Sequence, residues 1–296
     1  MKATTREARR PADREPWLGM EPSEVLVRSV ACAFALVLIL ALPAKAEPRR
    51  VVSLDYCADQ FVLALADRDH IAGLSHNALR DDSYYRARAR GLRQVRPTLE
   101  ETLALHPDLI VRTWGGPWDA SAAYSRFHIP VLQLGDAADF AQARAQLLQA
   151  AHALGHDDRG AALAHDLDIR LARLHANAPN TRPPVMYLSA GGATPGPGVM
   201  MDAVIRAAGA RNLATAPGWN VLPLERLTQT PPALVALAFF ETGRTQMNAW
   251  SPSRHPAFRA ALARARAIAL PAAAISCEAW YAIDAAEAIA AAAPHR

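Results

Sequence analysis

From residue 47 onward the sequence has no lysine; every cation there is an arginine. A Walker phosphate loop, which needs a lysine, is therefore excluded. Together with abundant alanine, this usage reads as compositional bias, so no single arginine marks a phosphate or carboxylate site. Cysteine is also scarce: three in 296 residues, with no C-x-x-C pair and no zinc-finger spacing. Neither a G-x-S-x-G elbow nor an H-E-x-x-H helix is present, which agrees with a non-enzymatic role. Excess charge of one sign is missing too. The first 46 residues hold seven of the 32 Lys+Arg and five of the 28 Asp+Glu, so the remainder is nearly neutral. Such a chain offers no field for nucleic acid or an anionic membrane. The single long apolar run, Ser29 to Leu42, falls short of the roughly 20 residues a membrane span needs.

That run is what the N-terminus does contain. Arg28, the apolar segment and the A-x-A site ending at Ala46 form the pattern of a secretory signal peptide. The expected product is exported to the periplasm and begins at Glu47. The polar stretch ahead of the run, with Met20 inside it, suits a start downstream of residues 1–19. Cys32 lies early in the run rather than at its exit, which argues against a lipid-modified cysteine.

Beyond Glu47, short apolar runs alternate with helical patterns. VVSL (51–54), IAGL (71–74), DLIV (108–111) and VLQL (131–134) read as buried strands, with helices at 58–67 and 118–127 between them. This alternation predicts a parallel sheet covered by helices. Two helical patterns then follow without a strand, at 139–154 and 157–176. The second places Leu163, Leu167, Leu171 and Leu174 on one face and stops before Pro179. Strands resume at 185–188, 234–239 and 267–270, with helical patterns at 199–208, 256–266 and 280–292. The organisation is an N-terminal extension (1–46), an α/β lobe (47–136), a helical connector with one long helix (137–178) and a second α/β lobe (179–296). A stiff helical connector permits only modest opening of a cleft between the lobes.

The halves also echo each other. TLEETLALHPDLIV (98–111) returns as PLERLTQTPPALVA (223–236), matching Leu99 with Leu224, Glu100 with Glu225, Pro107 with Pro232 and Leu109 with Leu234 at a constant offset of 125. Each copy reads as a short Glu-bearing helix, a proline turn and a strand. Aromatic residues fall in telling places as well. Ligands of open parallel sheets sit outside the carboxyl ends of the strands. Tyr56, Trp114, Trp118, Trp219, Trp250 and Trp280 all follow strands or lie in loops, where indole rings suit a bulky, partly planar ligand.

These features, with RRVVSLDYCADQFVLALADRDHIAGLS and TWGGPWDASAAYSRFHIPVLQL, resemble the periplasmic binding proteins for cobalamin and iron–siderophores, the class III solute receptors of ABC importers. The resemblance covers roughly Arg49 to Ala292. It implies two Rossmann-like lobes joined by a single long α-helix, with the ligand cleft between them. It also implies that Glu100 and Glu225 pair with arginines on the two subunits of an inner-membrane permease dimer, as exposed carboxylates opposite arginine can. Trp114–Gly115–Gly116 matches an aromatic-plus-glycine ligand loop, and Ser75–His76–Asn77 matches a second. Cys277–Glu278–Ala279–Trp280–Tyr281 stands where the family has an aromatic-containing loop before the last helix. The implied function is capture of a metal chelate (iron-siderophore, cobalamin or haem-like) by a monomer without an intrinsic cofactor. Two other readings use the same fold: a secreted chelatase-like or tetrapyrrole-handling enzyme, and an envelope ligand sensor.

Other signals carry less. GGATPGPG (191–198) fits no phosphate-binding pattern, and its prolines remove N–H donors. The histidines are scattered; His152 and His156 stand four apart on a helix, and His76 lies in a loop expected at the cleft. Cys57 and Cys277 follow strands in different lobes. They can form a disulfide locking the lobes, ligate a metal or remain two unconnected thiols.

Overall fold

The computed structural model describes residues 47–221, 231–239 and 263–293, together with 256 and 260. The first lobe contains β1 (Val51–Ser53), α1 (Tyr56–Leu65), β2 (Ile71–Ser75), α2 (Arg86–Ala89), β3 (Gln94–Val95), α3 (Leu99–Leu103), β4 (Leu109–Arg112), α4 (Ala120–Ser125) and β5 (Val131–Gln133). Its strands form one parallel sheet in the order β3-β2-β1-β4-β5. β1 is central and buried on both faces, as Val51, Val52 and Ser53 require.

Two helices follow directly, α5 (Phe140–Leu154) and α6 (Asp157–Ala176). Asp139 caps the first through the amide of Gln142, and Gly155 ends it in the left-handed conformation at φ 81°. The second lobe contains β6 (Pro184–Ser189), β7 (Ala193–Pro195), α7 (Met200–Ala207), β8 (Arg211–Asn212), β9 (Trp219–Val221), β10 (Leu234–Ala238), β11 (Arg266–Ala269), α8 (Ala272–Ile275) and α9 (Ile283–Ala292). Among the described residues its parallel sheet has the order β11-β10-β6-β8, with β7 and β9 as a separate antiparallel pair. The fold is thus α/β with two parallel sheets, one in each lobe.

α6 is fastened to both lobes. Near its start, Arg159 donates to the carbonyl of Leu65 at 2.7 Å and pairs with Asp67. Further along, Arg170 reaches Asp284 at 2.5 Å and Glu287 at 2.6 and 2.9 Å on α9. These carboxylates raise the Arg170 pKa above its usual value, Glu287 contributing most. Leu163, Leu171 and Leu174 pack on a single apolar core that draws residues from both lobes, and Leu167 is buried within it. A rod held by packing and charge-assisted bonds at two places resists free swinging of the lobes.

Four strands that periodicity did not reveal are β3, β8 and the paired β7 and β9, each of only two or three residues. The Glu-bearing half of the second echo, including Glu225, lies outside the described residues, as does Trp250. What is described of the echo keeps the offset: β4 begins at Leu109 and β10 at Leu234.

Candidate functional site

The carboxyl end of β1 is organised by Asp55. Its side chain is buried and caps α1 by accepting from the amide of Ala58 at 2.9 Å. The same carboxylate gathers the loop after β4. Oδ2 accepts from the amides of Thr113 (2.8 Å), Trp114 (3.1 Å) and Gly115 (2.9 Å), and Oδ1 accepts from the Thr113 hydroxyl at 2.5 Å. Three successive amides converging on one oxygen form a nest that fixes the loop backbone. A Cβ on Gly115 would lie 2.3 Å from the carbonyl oxygen of Leu54, so only glycine lets this loop sit against β1. The result is a Trp114 side chain held at the sheet edge, half exposed, with its ring edge-on to Tyr56 at 6.0 Å.

A second buried carboxylate, Asp59, holds the end of β2 by accepting from the Ser75 amide (2.9 Å) and hydroxyl (2.6 Å). Burial pushes its pKa up to about 7, against the opposing effect of the Ser75 bonds. Neither Asp55 nor Asp59 was singled out from the sequence. For Asp55 the available signal was an aspartate between a strand run and an apolar helix, the usual N-cap arrangement.

A cavity of about 200 Å³ opens where these loops meet the second lobe. Tyr56, Cys57 and Phe61 of α1, Thr113 and Trp114 after β4, and Gly135 and Asp136 after β5 line one side. Ser276, Cys277, Glu278 and Ala279, after β11 and α8, line the other. Cys57 and Cys277 form a disulfide with Cα atoms 5.6 Å apart, so a covalent bond between the lobes is part of the wall. Tyr56 reinforces this junction: its hydroxyl donates to the carbonyl of Ser276 at 3.2 Å, and the Arg80 guanidinium sits 4.2 Å above its ring. Nearby, the Ser276 hydroxyl donates to the carbonyl of Asp82 at 2.6 Å and the Tyr84 hydroxyl to Asp284 at 2.7 Å.

Glu278 brings a carboxyl to this cavity. Burial first, and the charge of Asp136 second, raise its pKa to about 7. A carboxyl whose folded pKa lies above its unfolded value gives stability that is complete below about 4.5 and lost as the pH climbs through about 7. Asp59 acts in the same direction over the same window. The ligand-free protein is therefore expected to melt at lower temperature at pH 8 than at pH 6. Glu278 is partly open to solvent, so screening reduces its share to on the order of 1 kcal/mol. Thermal melts of Glu278→Gln against pH check this: the slope should flatten, and an unchanged slope would refute the assignment.

The cavity does not take in every aromatic residue read from the sequence. Trp280 and Tyr281 are buried, not exposed to ligand. Trp280 lies edge-on to Phe61 at 5.0 Å, and Tyr281 stacks on Tyr84 at 4.1 Å with 13° between the planes. They join the lobes, because flat rings at a loop position fill an inter-lobe seam as well as they bind a ligand. Trp118 is 99% exposed and does not line this cavity. Trp219 lies on β9 with its ring edge-on to Tyr187 at 5.8 Å, away from the cavity lining. His76 and Asn77 follow β2 at the same sheet edge, paired to each other at 3.1 Å, and neither lines the cavity. Gly115 shapes the loop instead of the lining. Glu100 is exposed at the start of α3, and no ion pair engages it among the described residues; its neighbour Glu101 is held by Arg96 at 2.9 Å.

Two parallel-sheet lobes, a helical rod and a cavity at the carboxyl ends of the strands make the architecture of a two-lobed solute-binding protein. A model of the periplasmic binding protein family matches residues 51–247, and the chain belongs to that family. It is a binding protein rather than an enzyme. Solved structures of similar fold include the periplasmic haem-binding protein RhuT from Roseiflexus sp. RS-1 (22% identity, TM-score 0.66, covering 82% of this chain and 97% of that one). A periplasmic haem-binding protein from Pseudomonas aeruginosa is 26% identical (TM-score 0.54, covering 78% and 81%). The vitamin B12-binding protein BtuF of Vibrio cholerae is 19% identical (TM-score 0.62, covering 82% and 96%). No curated protein matches the sequence.

Proposed function

We propose that this protein captures a metal chelate in the periplasm, in the cleft between its lobes, and delivers it to the permease of an ABC importer. The observation that carries the reading is the pairing of Tyr56 and Trp114 at the strand ends of the first lobe with Glu278 of the second, around one cavity. An aromatic wall supplies contact area for a flat macrocycle, and a few polar groups orient it. Relatives whose names record haem and vitamin B12 point to the same ligand class. Glu278 and Asp136 refine the choice. Both bring carboxyl groups to the lining, where a hydrogen-bonding ligand edge fits better than a further carboxylate. The lining therefore favours a chelate bordered by amides over one that presents carboxylates at this edge.

Export by cleavage after Ala46, a monomeric receptor, and docking through Glu100 and Glu225 complete the reading. Charge-assisted pairs with permease arginines set register more than affinity. The test is a calorimetric titration with hydroxocobalamin, haemin and a ferric hydroxamate, alongside ATPase stimulation of the cognate importer. Glu100→Lys with Glu225→Lys should abolish stimulation and leave the ligand Kd unchanged. Stimulation that survives both reversals would remove the docking role.

A further inference from the structure

Away from the cleft, at the amino ends of the first lobe's strands, three ligand-type atoms converge. They are Oε1 of Glu47 just before β1, Oδ2 of Asp67 in the turn between α1 and β2, and Nε2 of His156 at the corner between α5 and α6. All three lie within 4.8 Å of one another. His156 Nε2 is 3.0 Å from Glu47 and 3.9 Å from Asp67. Donor atoms about 2.0–2.2 Å from a tetrahedral zinc ion stand about 3.3–3.6 Å apart, between the 3.0 and 3.9 Å that separate His156 Nε2 from the two carboxylates.

A second observation points to a cation. His156 Nε2 is buried and makes no hydrogen bond, although Glu47 Oε1 is at hydrogen-bond distance. The angle is wrong for an N–H donated to that carboxylate. His156 Nε2 and two carboxylate oxygens, all ligand-type atoms, are drawn close together, and a buried polar atom left without a hydrogen bond is costly unless something fills the gap. The surroundings hold the donors in place. His70 Nδ1 lies 3.1 Å from the same Glu47 oxygen and orients it, as the outer partners of metal-ligating carboxylates do. A Cβ on Gly155 would fall 2.8 Å from Glu47 Cγ, so the glycine that ends α5 also leaves room for the Glu47 side chain. Arg159 pairs with Asp67 and offsets one of the two carboxylate charges.

We propose that Glu47, Asp67 and His156 bind a divalent cation of the zinc class, with a fourth position open to water. The ion ties the start of the mature chain to the first lobe and to the base of the rod helix. It is a clamp on the edge opposite the cleft, separate from ligand capture.

The test is isothermal titration of the metal-stripped, untagged chain with zinc chloride, followed by thermal melts. The expected result is uptake of one equivalent and a melting temperature raised by several degrees at a large excess over Kd. His156→Asn should lose both. Asparagine is a preferred helix N-cap and His156 already occupies that position without a side-chain cap bond, so this variant keeps the corner folded. A protein carrying Glu278→Gln and Asp136→Asn should take up zinc as before. No uptake, uptake that survives His156→Asn, or uptake lost on changing the cleft carboxylates would each overturn the proposal.

Discussion

Replacing Cys57 and Cys277 by serine is expected to lower the unfolding free energy by up to about 5 kcal/mol. The bond closes a loop spanning 220 residues. On the chain-entropy model a loop of that size constrains the unfolded state by about 5 kcal/mol, less any native strain. It is also the covalent link between the lobes, beside the Tyr56–Ser276 and Tyr84–Asp284 bonds and the Tyr84–Tyr281 stack. Those contacts stay in the double-serine protein, so it should fold, but with a lower denaturation midpoint. Guanidinium unfolding with and without a phosphine reductant is the check. Reductant should move wild type towards the double mutant and leave the double mutant unmoved. Equal midpoints for oxidised wild type and the double mutant would show that the bond contributes nothing.

The second large effect is expected at Asp55. Replacement by alanine leaves the amides of Ala58, Thr113, Trp114 and Gly115 and the Thr113 hydroxyl without their acceptor. Loss of the helix cap costs about 1 kcal/mol. Orphaned buried donors and bonds to a charged group cost about 1–3 kcal/mol each, though water entering the site offsets part. A total of about 3–5 kcal/mol follows, at the upper end for single substitutions. Function should suffer in parallel, because the same carboxylate fixes Trp114. Hydrogen exchange at residues 113–115 should accelerate, and ligand affinity should fall by at least tenfold. Asp55→Asn, which keeps one acceptor oxygen, should fall between. Unchanged exchange in Asp55→Ala would mean that the loop is held by other contacts.

The large elements were legible from residue pattern alone. α6 runs from Asp157 to Ala176, the span its leucine spacing and the following prolines marked. β1, β2, β4, β5, β6, β10 and β11 fall on the apolar runs within a residue or so at each end. Runs of buried β-branched residues announce a parallel strand, whereas β3 and β8, of two residues each, bury too little to leave a pattern. The lining of the candidate cavity was legible in part. Tyr56, Trp114 and Glu278 stand where strand ends and a family resemblance pointed. Trp280 and Tyr281 lie in equivalent loops yet face the seam, since sequence position fixes which end of a sheet a ring occupies but not which surface it meets. Asp55 was missed because a buried carboxylate that gathers backbone amides looks, in sequence, like any polar residue after a strand, and Asp59 because a buried polar residue on a helix looks there like an exposed one. His70 and Glu47 were missed because their meeting with His156 depends on how three distant turns pack.

The most direct test of capture in the cleft is the calorimetric titration of wild type and Trp114→Ala with the three chelates. One chelate should bind wild type at a single site with micromolar or tighter Kd, and Trp114→Ala should bind it at least tenfold more weakly while melting at nearly the wild-type temperature. Binding of no chelate, or equal binding by both proteins, would contradict the cleft as the site of capture.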